Sequence, residues 1–183
     1  MTLTSRERVL LALNHHEPDR VPIVFGADGS TAMLLPAYEN LKRYLGIECE
    51  TRLMLHCCGS VRSIMDDLIE IGVDILHPVQ VSAKDMEPEE LKAQFGDRLC
   101  FCGGIDTQQV LPHGTREEVR EEVQRRIQEL APGGGYLLAA VHAIQPDVPP
   151  ENVCTMFEAA LSHGRYPITA DNGGAGSATN KSD

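Results

Sequence analysis

The chain has no tryptophan, and its other aromatics are scarce, with four Tyr and four Phe among 183 residues. Basic residues are in deficit as well. Sixteen Lys and Arg stand against 27 Asp and Glu, for a formal net charge of −11. Nucleic acids and anionic membranes are bound through an excess of Lys and Arg, so neither is expected as a partner. No apolar run approaches the roughly 18–20 residues of a membrane-spanning helix. The first fourteen residues are charged and amphipathic and lack the apolar core of a signal peptide, so a cytoplasmic protein is expected. No GxGxxG or P-loop pattern occurs. The Gly103-Gly104 and Gly133-Gly134-Gly135 runs are read as turn-shaping.

Six cysteines are present, at 49, 57, 58, 100, 102 and 154. In a reducing compartment such residues are more often thiols or metal ligands than disulfides. Cys57 and Cys58 are adjacent and poorly placed to pair with each other. Cys100 and Cys102, alternating with Phe101 in an apolar segment, read as core.

The secondary-structure signals repeat. Thr4 and Ser5 open a helix that runs to Leu13 and ends at 17–20. Val21 to Gly26 is a short apolar segment that Pro22 pushes towards a sheet edge. A loop and a short helix, Ala37 to Leu45, follow. Leu53-Met54-Leu55-His56-Cys57-Cys58-Gly59 then reads as a strand leading into a loop, with Ser60 capping a helix whose buried stripe is Ile64, Leu68 and Ile71. Val73 to His77 is the next strand, followed by a helix from Pro88 that buries Leu91 and Phe95. Arg98 to Cys102 is a third strand. Thr115 and Glu118 form a capping box for a helix with Val119, Val123, Ile127 and Leu130 inward, its Glu117–Glu122 run being a solvated face. Gly135 to Val141 is a fourth strand, and Pro149-Pro150 open a last helix that buries Val153, Met156, Phe157 and Leu161. Four strand–helix units in succession imply an α/β fold with parallel strands, half of a TIM-type (β/α)8 barrel, preceded by N-terminal helices. The segment 1–168 is read as this partial barrel domain, and the Gly-, Ser- and Asn-rich 169–183 as a disordered tail.

In such barrels the chemistry lies at the C-terminal ends of the strands. Those ends carry His56 and Cys58, then His77, then Gly103-Gly104-Ile105-Asp106, then His142. His56 and Cys58 are two apart, so an extended backbone sends both side chains to one face. With His142 they make three soft donors and an open fourth position, the pattern of a catalytic zinc site. An open zinc can bind a substrate thiol and hold it as a thiolate nucleophile for methyl transfer. The bland alternative is two histidines bonded to backbone and a cysteine filling space. His77 and Asp106 are further candidates for the same pocket, although an Asp in a βα loop is more often a cap.

Four stretches carry a resemblance. They are Ser5-Arg6-Glu7-Arg8-Val9-Leu10 with Glu17-Pro18-Asp19-Arg20-Val21-Pro22, then His56-Cys57-Cys58-Gly59, then Gly103-Gly104-Ile105-Asp106-Thr107, and finally His142-Ala143-Ile144-Gln145-Pro146-Asp147-Val148-Pro149-Pro150-Glu151-Asn152. Together they resemble the uroporphyrinogen decarboxylase superfamily, which includes zinc- and corrinoid-dependent methyltransferases. The resemblance implies a TIM-type barrel. Its methyltransferase branch implies zinc on His56, Cys58 and a later cysteine, whose place here is taken by His142. It also implies a small-molecule methyl donor and a corrinoid protein as methyl partner. The decarboxylase branch implies a tetrapyrrole substrate and an Arg-rich carboxylate-binding segment, where this chain has Ile23-Val24-Phe25-Gly26-Ala27-Asp28-Gly29-Ser30.

Members of the superfamily are roughly twice this length, in keeping with ~250 residues for a full barrel. The His-Cys motif here follows almost at once on the N-terminal pattern, so an internal deletion is expected near 51–55. Either a homodimer closes a barrel about a two-fold axis, or the chain is a remnant, a non-catalytic binding domain that kept one half of the barrel.

Overall fold

The computed structural model describes residues 3–23, 44 and 52–168. The expected Ala37–Leu45 helix (Tyr44 apart), the residues beyond Ile23 of the Val21–Gly26 segment, and the tail lie outside them. Among the described residues four strands form one parallel sheet in sequence order: β1 (Met54–His56), β2 (Ile75–Val79), β3 (Cys100–Ile105) and β4 (Tyr136–Ala140). β1 is set against β2 so that His56 lies opposite His77. β2 runs two residues past its expected end, through Pro78, and its register to β3 shifts between Leu76 and Val79. On the other side of the sheet, Ile23 makes a parallel bridge to Leu138, and the Leu138 N–H donates to the Pro22 carbonyl at 2.9 Å. Pro22 needs only its acceptor there, which suits a residue with no N–H.

One helix precedes the strands, one follows β4, and the other described helices lie between strands. The first, α1 (Ser5–Leu13), opens on a Thr4–Glu7 capping box. Arg8 ties it to the following turn through two bonds to Asp19, at 2.6 and 2.9 Å. Next come α2 (Met65–Glu70), α3 (Pro88–Phe95), the short α4 (Val110–His113), α5 (Arg116–Leu130) and α6 (Pro150–His163). The predicted capping box at α5 is present, the Thr115 N–H donating to Glu118 at 2.6 Å.

Both sheet faces are covered, as parallel sheets require. Leu76, Phe101, Tyr136 and Leu138 pack against Leu91 and Phe95 of α3 and Val119, Val123, Ile127 and Leu130 of α5. Each such side chain contributes about 1.5–3 kcal/mol by leaving water. Ile75, Cys100, Cys102, Leu137 and Ala139 face the other way, onto Ala12, Val9 and Leu13 of α1. The two strand cysteines are therefore core, as expected.

Four expectations fail. Gly103 and Gly104 do not form a turn after the third strand but lie within β3, paired with Leu138 and Ala139. Ser60 does not cap a helix; a 3₁₀ turn at Arg62–Ile64 intervenes and α2 begins only at Met65. The buried stripe is consequently Val61, Met65 and Leu68, while Ile64 and Ile71 are 47 and 74 % exposed. Glu122 is not on a solvated face but 3 % exposed, paired with the buried Arg126 at 3.6 Å and with Arg125. Leu161 of α6 points outward, and Ala159 and Ala160 take the inner positions.

Candidate functional site

The C-terminal ends of β1, β2 and β4 bring three histidines together. Adjacent parallel strands place His56 beside His77, with Nδ1 atoms 2.8 Å apart and ring centroids 4.8 Å apart. The His142 ring lies edge-on to His56 at 6.3 Å. Cys58, just past the end of β1, turns its sulfur to within 3.6 Å of His56 Nε2. The expected grouping of His56 and Cys58 on one face is therefore what the structure shows.

The loop that carries Cys58 is pinned to β2 at two points. The Cys57 N–H donates to the His77 carbonyl at 2.8 Å, and the Gly59 N–H donates to Gln80 Oε1 at 2.7 Å. Gly59 takes a left-handed conformation, φ +98°, which a side chain would strain. Cys57 is half-buried and packs against the core.

His77 is 1 % exposed, and its Nε2 is buried without a hydrogen-bond partner among the described residues. Burial first, then the neighbouring His56 and His142, push its pKa down to about 4. It is an uncharged imidazole at neutral pH.

A cavity of about 340 Å³ opens on this cluster. Cys58 and His142 line it together with Gln80, Thr107, Gln108 and Gln145. No Lys, Arg, Asp or Glu is among its described lining residues. None of these four polar wall residues was a candidate site residue from the sequence, although Thr107 and Gln145 stand in the stretches that carry the resemblance. Their signal was positional, since each lies within a few residues of a strand's C-terminal end.

Asp106 is elsewhere. Its carboxylate accepts the N–H groups of Gln108 (2.6 Å) and Gln109 (3.3 Å), so it caps the turn leading into α4, and it does not line this cavity.

His56 Nε2 and Cys58 Sγ fit a shared metal. Zn–N of 2.0–2.1 Å and Zn–S of 2.3 Å at a tetrahedral angle put two such ligand atoms about 3.6 Å apart, the distance observed here. Among the described residues no three His, Cys, Asp or Glu side chains already stand in a metal-holding arrangement. His142 shares the cavity wall without completing such a set.

Among the described residues no helix is long and apolar enough to cross a membrane. Residues 30–163 match the family model described as uroporphyrinogen decarboxylase (URO-D). The chain is 25 % identical over 167 residues to a uroporphyrinogen decarboxylase of Danio rerio, covering 79 % of this chain and 44 % of the relative. It is 33 % identical over 70 residues to one from Pseudoalteromonas translucida, covering 38 % of this chain and 19 % of the relative. A solved methyltransferase from Methanosarcina mazei shares the fold at a TM-score of 0.51 and 21 % identity, over 68 % of this chain and 34 % of that one. The aligned part thus spans less than half the length of these relatives. The family match covers most of the chain, and the parallel βα architecture is that of a partial TIM-type barrel. The chain belongs to the uroporphyrinogen decarboxylase family.

Proposed function

We propose that the chain is a methyltransferase-like member of this family, with His56, Cys58 and His142 as the residues that would hold zinc. The observation that carries this reading is the 3.6 Å separation of His56 Nε2 and Cys58 Sγ, with Cys58 on a cavity whose described wall holds no Lys, Arg, Asp or Glu. Zinc bound there would supply a Lewis acid that lowers the pKa of a substrate thiol.

The chain's own residues would do the rest. The bonds from Cys57 and Gly59 fix the loop so that the Cys58 sulfur faces the cavity wall shared with His142. Thr107, Gln80, Gln108 and Gln145 offer hydrogen bonds to a small neutral or weakly polar substrate. The methyl group would be exchanged with a corrinoid carried by a partner protein.

The second reading, decarboxylation of a tetrapyrrole, is favoured by the names of the curated relatives. The site weighs against it on charge and size. A polycarboxylate needs cationic partners, and the described cavity wall has none. Its 340 Å³ also sits at the low end of the roughly 300–1,000 Å³ usual for ligand pockets.

Two assays on the full chain separate the readings. Zinc-loaded protein should exchange a methyl group between free methylcobalamin and a small thiol, and Cys58→Ala should abolish the exchange. Loss of carboxylate from uroporphyrinogen by the Cys58→Ala variant, without metal, would overturn the methyltransferase reading.

A further inference from the structure

His56 and His77 face each other in the β1–β2 register with their Nδ1 atoms 2.8 Å apart. Two ring nitrogens at that distance need one hydrogen between them, so one donates and the other accepts. The direction decides what His56 shows to Cys58. If His56 accepts, its hydrogen is on Nε2 and points at the sulfur. If His56 donates, Nε2 is a bare lone pair facing Cys58 Sγ at 3.6 Å. Only the second form can bind a metal through Nε2.

We propose that His77 is a positioning residue, whose Nδ1 accepts the His56 Nδ1–H and so directs the His56 Nε2 lone pair towards Cys58. The proposal rests on the metal reading above. A metal-ligating histidine ordinarily donates its other N–H to a fixed partner, which sets tautomer and ring orientation. That partner is usually a carboxylate, a backbone carbonyl or water; here the atom in place is a buried imidazole nitrogen. His77 suits the task because it cannot wander: it is 1 % exposed, within β2, and its carbonyl is held by the Cys57 N–H. With Nδ1 as acceptor, the His77 hydrogen sits on Nε2, the atom that is buried without a partner. Leaving a buried donor unsatisfied is unfavourable, and the orientation of His56 is what that arrangement secures.

The test compares two substitutions in the full chain, with Co(II) as the probe. Asn places an acceptor oxygen where His77 has Nδ1; Leu fills the space with none. Wild type should bind Co(II) with a thiolate charge-transfer band, His77→Asn should bind within about threefold of it, and His77→Leu about 10–100-fold more weakly. Equal affinities and spectra in wild type and a cooperatively folded His77→Leu would overturn the positioning role and leave the metal reading standing. No Co(II) binding by wild type would overturn the metal reading itself. Should His77→Leu fail to fold, two-bond 1H–15N spectra of zinc-loaded wild type decide. A hydrogen on His56 Nδ1 and on His77 Nε2 supports the proposal, and a hydrogen on His77 Nδ1 overturns it.

Discussion

The Tyr136 hydroxyl, fully buried under the sheet, donates to the Gly103 carbonyl at 2.9 Å. The bond fastens β4 to the stretch of β3 that leads into Thr107 and Gln108 of the cavity wall. Gly103 and Gly104 both have positive φ, +112° and +94°, so the strand is bent where this bond holds it. Tyr136→Phe leaves the packing and removes the donor; it should lower stability by about 1–3 kcal/mol, read as a shift in the urea midpoint. Gly104→Ala should cost at least as much, because its Cβ would sit 3.1 Å from the Tyr136 oxygen in a backbone conformation alanine resists. Wild-type midpoints in both variants would contradict this view of the strand.

Arg126 lies between two carboxylates on α5, Glu122 at 3.6 Å and Glu129 at 2.8 Å, with Arg126 and Glu122 both buried. Removing Arg126 leaves Glu122 with Arg125 alone and takes from the largely buried Glu129 the arginine it pairs with. Arg126→Met is therefore expected to destabilise by about 3–5 kcal/mol, and Arg126→Met with Glu122→Leu by less than Arg126→Met alone. A double-mutant cycle by chemical denaturation reads both values; additivity would mean that the two residues do not interact.

Alkaline pH acts through the core thiols. Burial raises Cys100 to about 11 and Cys102 to about 12, from an ordinary 9.0. The folded protein keeps both protonated while the unfolded chain ionises above pH 9. Stability from this source is complete below pH 9 and falls as pH rises, through about 11 for Cys100 and about 12 for Cys102. Cys100 alone accounts for about 3 kcal/mol over its full range. Between pH 8 and 10 the wild-type urea midpoint should drop, and Cys100→Ala with Cys102→Ala should flatten the slope. Parallel slopes would show that the thiols are not the cause.

Much of this was legible from the chain. Short apolar runs alternated with helices that carried their stripes, so the four-unit order followed from local pattern, although Pro78 and Gly103-Gly104, which looked like strand ends, lie inside β2 and β3. The pairing of His56 with Cys58 followed from period-two geometry. The rest depends on tertiary contacts. His77 lies 21 residues from His56 and meets it only through the β1–β2 register. Glu122 looked solvated because its neighbours at 117, 118 and 121 are acidic too, yet it shares a helix face with Val119 and Arg126. Ile64 and Ile71 looked buried because they flank Leu68 at helical spacing, but Ile64 lies in the 3₁₀ turn and Ile71 just past the end of α2, so neither stands on the helix's inner face.

Zinc content per chain on purified, chelator-washed and reloaded protein is the first measurement to make on the proposed site at the strand ends. About one zinc per wild-type chain is expected, the four-coordinate occupancy of a single site, with its loss in both Cys58→Ala and His142→Ala. A cooperatively folded wild type that takes up no zinc would contradict it.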